Sequence, residues 1–236
     1  MTPLSNLPNP VNRLLGALSA ADAALLAPHL EPREFAIRHV FEEPNRPIKY
    51  LYFIERGFAS VVAIANSDRQ VEVGLIGREG VTGVPVLLGG DRAPHSCYAQ
   101  HAGGGRRIRA RILREKIETS ASLRAMLLRF AQVFMTQTAQ TALANGRANL
   151  EERLARWILM AQDRVDGDGL TLTHEFLSIM LGVRRAGVTV AVRALEDQGL
   201  IRHNRARIVL VDRKGLEALS GKSYGVSEAE YRRLLG

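Results

Sequence analysis

Cysteine, lysine and long apolar segments are scarce in this chain of 236 residues. The single cysteine, Cys97, excludes a disulfide within one chain, a zinc site made only of thiolates, and an iron–sulfur cluster held by four thiolates of one chain. No apolar run approaches the roughly 18 residues that cross a bilayer. The first residues also lack the pattern of a secretory signal. These absences predict a soluble, cytoplasmic protein with no membrane partner.

The charge balance is positive and comes almost entirely from arginine. The chain has 32 Lys+Arg against 24 Asp+Glu, a net charge of +8, and only four of the basic residues are lysines. Arginine binds phosphate bidentately and stacks on bases, so this excess favours a polyanionic partner such as nucleic acid. The length suits one large domain or two modest ones.

The N-terminal part of the sequence predicts short helices followed by strands. One or two helices are expected between residues 12 and 27, where Ser19 and Asp22 make a cap pair. From Arg33 to Ile112, short β-branched and aromatic runs alternate with turn residues, and Gly103-Gly104-Gly105 is one of the predicted turns. This pattern predicts an antiparallel sandwich or barrel.

A long helical segment begins at about residue 117. Apolar and small residues recur there at alternating spacings of four and three, which is typical of a helix that packs along a seam. The seam consists of Leu123, Leu127, Phe130, Phe134, Gln137, Thr141 and Ala144. Its length and apolar character favour a second copy of the chain as the partner, so the seam is the predicted dimer interface. The alternative is a helix that covers its own β-domain.

Residues 170–201 carry the most specific pattern in the chain. Thr173 is a predicted N-cap for one helix, Gly182 ends that helix, and a second helix follows from about Arg184 to Asp197. This spacing is typical of a helix-turn-helix, whose second helix fits the major groove of DNA. Two short strands follow the second helix and predict a wing.

Basic side chains cluster on the second helix and at the tip of the wing. Between Arg184 and Lys214, eight basic residues stand against three acidic ones. Because Arg reads guanine edges and Thr reaches phosphate, the cluster predicts double-stranded DNA as a partner, with Arg185 as the base reader. The predicted DNA-binding residues are Thr173, Arg184, Arg185, Thr189, Arg193, Arg205 and Arg207.

The chain resembles the CRP/FNR regulators of transcription. The resemblance rests on the segment LTHEFLSIMLGVRRAGVTVAVRALEDQGLI, on the phrases YLYFIERGFASV and GREGVTG, and on the order of β-domain, long helix and winged helix-turn-helix. It implies an α+β fold: a cyclic-nucleotide-binding-like antiparallel β-roll (jelly roll) over residues 1–116, a long dimerisation helix over 117–147, and a winged helix-turn-helix DNA-binding domain over 148–236. It also implies a homodimer that binds palindromic operators, and RNA polymerase as a partner.

The reading helix departs from the family pattern. Of the positions that carry the family motif, only Arg185 keeps its identity, whereas Ala186 and Val190 stand where the family has an acidic reader and a second arginine. We therefore expect an operator different from the one that most members share.

The effector cassette departs as well. The positions that match the cyclic-AMP cassette of the family are Gly80, Val81, Gly83, His95 and Ser96. The glutamate that takes the ribose and the arginine that takes the phosphate are both missing, and an uncompensated phosphate in a half-buried pocket binds weakly. We expect no control by cyclic AMP and predict no cofactor, so the effector site is unknown.

Two other rows of residues leave alternatives open. His95, Cys97 and His101 share one parity, so on a single strand they form one face, suited either to a metal or haem or to ordinary packing. Arg107, Arg109 and Arg111 alternate with apolar residues and so line one face of a predicted strand, suited to an anionic effector, a contact on RNA polymerase or a solvated face.

No pattern of an enzyme site occurs in the sequence. Gly-x-Ser-x-Gly, phosphate-loop and metalloprotease spacings are absent, and the histidines are scattered. The sequence therefore predicts a non-enzymatic regulator. The alternative is a β-roll module that binds a ligand or a protein without acting on DNA.

Overall fold

A computed structural model describes residues 12–66, 69–167, 169–204 and 207–236. In chain order the elements are α1 (Arg13–Gly16), α2 (Ala20–Leu26), β1 (Glu31–Phe35), β2 (Val40–Glu42), β3 (Tyr50–Asn66), β4 (Arg69–Ile76), α3 (Val84–Leu87), β5 (Ser96–Arg109), α4 (Ala110–Thr119), α5 (Ala121–Arg147), α6 (Leu150–Gln162), β6 (Gly169–Thr171), α7 (His174–Leu181), α8 (Arg185–Asp197), β7 (Ile201–Asn204), β8 (Arg207–Leu210), α9 (Arg213–Ser220) and α10 (Val226–Leu235). Among the described helices, none is long and apolar enough to cross a membrane.

The chain divides into two compact units. Among the described residues, the first unit comprises residues 12–61, Ile76–Phe134 and Glu230–Gly236, and the second comprises Val62–Leu75 and Met135–Ala229. In the first unit, β1 and β2 both pair antiparallel with β5, and β5 lies beside β3. The fully buried side chains of this antiparallel sheet include Phe53, Phe58 and Ile108. The predicted N-terminal β-roll is thereby confirmed.

The short N-terminal helices begin where the sequence predicts. The Ser19 side chain caps α2 by accepting a hydrogen bond from the backbone N–H of Asp22 at 3.1 Å. The Asp22 carboxylate accepts further bonds from the hydroxyls of Ser120 at 2.5 Å and Ser122 at 2.6 Å. These hydroxyls hold the pKa of Asp22 below its ordinary value. The carboxylate therefore ties α2 to the start of α5.

The glycine triplet Gly103-Gly104-Gly105 lies inside β5, so the predicted turn is wrong. A Cβ atom on Gly103 would lie 1.9 Å from the carbonyl oxygen of Arg56, and one on Gly105 would lie 2.1 Å from that of Phe53. The glycines are needed because the backbone of β3 passes too close for any side chain. Glycine signals a turn in the sequence, whereas here it permits the close approach of two strands.

The helical region begins earlier than predicted. The strand β5 ends at Arg109 and α4 starts at Ala110, so the segment up to residue 116 is helical rather than extended. The alternation of arginine and apolar residues mimics a strand across this junction. A break at Ser120 then separates α4 from α5, so the predicted segment 117–147 belongs to two helices.

The seam that predicted the dimer interface lies mostly inside its own chain. Leu123, Leu127 and Phe130 are at most 2% exposed in the first unit, where the Phe130 ring packs over Gly80. In the second unit, the Gln137 amide bonds both the N–H and the C=O of Leu75 in β4, at 2.6 and 3.2 Å. Of the remaining seam residues, Ala144 is buried and Phe134 and Thr141 are half-buried. The predicted seam therefore packs within one chain.

The second unit contains the predicted winged helix-turn-helix. The sheet β6-β8-β7 is antiparallel, and α6 packs against α8 and α9. A buried hydrogen bond of 2.7 Å from the indole nitrogen of Trp157 in α6 to the Glu72 carboxylate joins α6 to the β3–β4 hairpin. The α+β fold predicted from the sequence is confirmed.

The substitution Gly103→Ala tests the close approach of β5 to β3. We expect it to lower the free energy of unfolding by about 3 kcal/mol or more, because the new methyl group meets backbone that cannot move aside. Gly146→Ala in α5, where a Cβ meets nothing within 4 Å, is the matched control and should not lower stability. Urea denaturation followed by circular dichroism measures both. Similar midpoints for the two variants would contradict this account.

Candidate nucleic-acid interface

Helix α7 is held at both ends by local signals. The Thr173 hydroxyl accepts a hydrogen bond from the N–H of Phe176 at 3.2 Å, which caps the helix. Gly182 ends it in the left-handed conformation, with φ of 62°, which glycine adopts without strain. Leu177, Met180 and Leu181 bury its apolar face. Both ends agree with the sequence prediction.

Helix α8 has one buried face and one exposed face. The buried residues are Val188, Ala191, Val192 and Leu195. Positions three and four apart share a face, so the other side of the helix is a continuous exposed surface. Its residues are Arg185, Ala186, Thr189, Val190 and Arg193. The predicted contacts on this helix therefore lie together and accessible.

Arg185 pairs with a residue of the first helix. Its guanidinium lies 2.8 Å from the Glu175 carboxylate, and both side chains are well exposed. An exposed ion pair contributes only about 0–1 kcal/mol, so a stronger partner displaces it at small cost. Arg184 is the exposed N-terminal flanking residue of α8, and its side chain makes no capping bond.

The Thr189 hydroxyl is engaged within the protein. It donates a hydrogen bond to the carbonyl oxygen of Arg185 at 3.1 Å. It also lies 3.1 Å from Nδ1 of His174. In the tautomer that carries hydrogen on Nδ1, the imidazole donates to this hydroxyl while the hydroxyl proton goes to Arg185. Thr189 is thus held from two sides, and its hydroxyl is less free for phosphate than the sequence suggests.

A histidine pair connects α7, α8 and the wing. The rings of His174 and His203 stack with centroids 5.0 Å apart. Both Nε2 atoms are buried and have no hydrogen-bond partner among the described residues. The backbone N–H of His203 donates to the Glu196 carboxylate of α8 at 2.9 Å. No sequence signal links the two histidines, because β7 brings them together only in the folded unit.

Of the two arginines predicted on the wing, the structure describes Arg207. Arg207 begins β8 opposite Asn204 and is exposed. Its guanidinium passes so close to Gly169 that a Cβ there would lie 2.5 Å from Nε. Arg205 lies outside the described residues.

The positions of the family effector cassette are built into the first unit. Val81 is fully buried and forms an antiparallel bridge with Phe53. The N–H of Gly83 donates to the Glu42 carboxylate at 2.7 Å. Burial raises the pKa of Glu42 and also that of the adjacent Cys97 thiol. His95 and Ser96 are half-exposed.

The two other rows predicted from the sequence are not arranged as single strand faces. His95 precedes β5, whereas Cys97 and His101 lie within it, so the three residues do not line one face of a strand. The prediction for the arginine row also fails at its end, because Arg111 lies in α4. Its first member is neither solvated nor free: Arg107 pairs with Glu31 and lies 4.1 Å from the Tyr50 ring centroid.

Comparison with known proteins agrees with this geometry. Residues 152–219 match the Crp-like helix-turn-helix domain. A search of the curated proteins by sequence finds no match. A solved transcriptional regulator of the Crp/Fnr family from Eubacterium rectale superposes with a TM-score of 0.70 at 18% identity, over 88% of this chain and 97% of that one.

Two other solved structures give the same result. FixK2 from Bradyrhizobium japonicum has a TM-score of 0.69 at 20% identity, over 81% of this chain and 98% of that one. The CRP-family transcriptional regulator TTHB099 from Thermus thermophilus has a TM-score of 0.67 at 19% identity, over 80% and 96%. At these identities the likeness establishes the fold.

The histidine pair predicts a pH-dependent stability. Burial lowers the pKa of His174 from its ordinary value of 6.5, and the charge of His203 lowers it further. The unfolded chain therefore binds this proton more readily than the folded chain, so the stabilisation present above pH 6.5 is lost as the pH falls.

We expect thermal unfolding, followed by circular dichroism from about pH 8 to about pH 5, to show this loss. In His174→Asn, which keeps a donor for Thr189, the loss should be smaller. An equal loss in both proteins would contradict the assignment.

Proposed function

We propose that this chain, a protein of the CRP/FNR type with a Crp-like helix-turn-helix domain at residues 152–219, regulates transcription as a homodimer on palindromic operators. The observation that carries the proposal is the exposed face of α8, where Arg185 and Arg193 are presented by a helix whose other face is buried. A helix of this kind enters the major groove, and its arginines reach base edges.

The proposed contacts with DNA are of two kinds: some read the bases, and others hold the DNA backbone. Arg185 reads a base after leaving Glu175, while Arg184 and Arg193 flank it on the same helix. Thr173 lies at the N-terminal end of α7, where backbone N–H groups attract a phosphate. The wing arginines Arg205 and Arg207 are the proposed contacts to the DNA backbone. This division gives sequence preference to α8 and general affinity to its surroundings.

A different face of α5 supports the homodimer. Residues that are small or apolar, with one glutamine among them, recur at alternating spacings of four and three on its solvent side, as in a helix–helix seam. We call this set the exposed row. In the first unit it comprises Ala121, Ala125, Leu128 and Gln132, and in the second Met135, Ala139, Ala142 and Gly146. Every member is exposed, and small side chains let two helices approach closely. The exposed row, rather than the buried seam, is the proposed interface.

We propose that cyclic AMP does not control the protein. Val81 stands where the family cassette has the glutamate that takes the ribose, and it is fully buried and bridged to Phe53. His95 stands where the family has the arginine that takes the phosphate, so this position offers no guanidinium and the charge of a cyclic phosphate would remain uncompensated. RNA polymerase is the proposed protein partner, as for transcriptional regulators in general, and no catalytic role is proposed.

Substitution of single arginines tests the division of roles. Arg185→Ala should cost about 1–3 kcal/mol on a duplex that the protein prefers and relax the preference at one base step. Arg205→Ala should weaken binding to preferred and random duplexes alike and lower the slope of log affinity against log salt by about one. Fluorescence anisotropy titrations at several salt concentrations measure both effects. Equal losses on both duplexes for both variants would overturn the assignment.

Substitution in the exposed row tests the homodimer. Leu128→Glu places a charge on each side of the proposed interface, so the protein should become a monomer in light scattering coupled to size exclusion. Leu88→Glu is the matched control, because Leu88 is similarly exposed but follows α3, and this variant should remain a dimer. A dimeric Leu128→Glu protein, or a monomeric wild type, would contradict the proposal.

A further inference from the structure

The exposed face of α8 contains an apolar strip between its arginines. The strip consists of Ala186, Thr189 and Val190. Val190 is 67% exposed, which makes it the most exposed large apolar side chain in the described parts of the chain. A single exposed aliphatic side chain needs no partner by itself, so the place of Val190 between two arginines is what indicates the surface it can contact.

Thr189 contributes to this strip through its methyl group. Its hydroxyl donates to the Arg185 carbonyl oxygen and lies 3.1 Å from Nδ1 of His174, so its polar atom is engaged within the protein. The exposed remainder of the side chain is aliphatic.

The charge around the strip indicates what covers it. Arg185 and Arg193 border the strip on the same helix face, and both are exposed. A hydrophobic helix of another protein would leave these cations facing apolar surface, whereas DNA pairs them with phosphates and base edges. The only apolar group on a base edge in the major groove is the 5-methyl group of thymine.

We propose that the strip Ala186-Thr189-Val190 recognises thymine methyl groups in the operator. This inference rests on the proposed function and adds a source of sequence specificity. The base pairs that face the strip are recognised by burial of methyl groups rather than by hydrogen bonds. Thymine carries its methyl group on one strand only, so apolar contact also distinguishes T·A from A·T at those positions.

Deoxyuridine, which is thymine without the methyl group, tests the inference. The duplex is one that the wild-type protein selects from a random pool, and its thymines are replaced singly by deoxyuridine. Affinity is measured by fluorescence anisotropy at fixed salt for the wild type, Val190→Ala and Val211→Ala. Val211 is the matched control, since it is 47% exposed and lies beyond β8 rather than on α8.

The wild type should lose about threefold to fivefold in affinity at one or more thymines of each half-site, the effect of exposing one buried methyl group. At the thymine under Val190 this loss should largely disappear in Val190→Ala, because the contact is already gone. Val211→Ala should behave as the wild type. Circular dichroism checks that the variants fold.

Three outcomes overturn the inference, and they differ from one another. If no deoxyuridine duplex binds the wild type more weakly, methyl recognition is wrong while DNA binding stands. If Val190→Ala keeps the full loss at every thymine, the strip is wrong as the reader. If the wild type selects no duplex at all, the proposed function fails and the inference falls with it.

Discussion

The burial of one face of α8 is the constraint on which the candidate nucleic-acid interface depends. Val188 and Leu195 are fully buried, and α8 packs against α6 and α7. Each such side chain contributes about 1.5–3 kcal/mol when it leaves water. A rotation of α8 by one residue, about 100°, would expose these side chains and bury charged ones instead. The packing of the buried face thus determines which residues of α8 are exposed to solvent.

Helix α5 also has two different faces, and the sequence pattern alone does not say which of them meets another chain. The buried seam of α5 and its exposed row keep the same alternating spacing, and periodicity alone does not distinguish them. Leu127 and Phe130 are larger and more apolar than Ala125 and Gln132, so they stand out in the sequence as an interface. In the structure Leu127 and Phe130 pack inside their own chain, and the exposed row is the proposed interface.

Features set by neighbouring residues were predictable, and those set by distant segments were not. The caps at Ser19 and Thr173, and the end of α7 at Gly182, follow from local hydrogen bonds and backbone conformation. The glycines of β5 depend on a strand far away in the chain, and glycine has no side chain whose pattern reveals this. The pairing of His174 with His203 depends on how β7 folds back beside α7. Sequence therefore located the candidate site but not the contacts that orient its side chains.

Selection of binding sites from random duplexes, with purified protein at fixed salt and with or without cyclic AMP, tests the central claim most directly. The claim is that α8 reads DNA in a homodimer that needs no cyclic nucleotide. It predicts enrichment of a palindromic site in the absence of nucleotide and the same site in its presence. Enrichment only with cyclic AMP, or no enrichment under either condition, would contradict it.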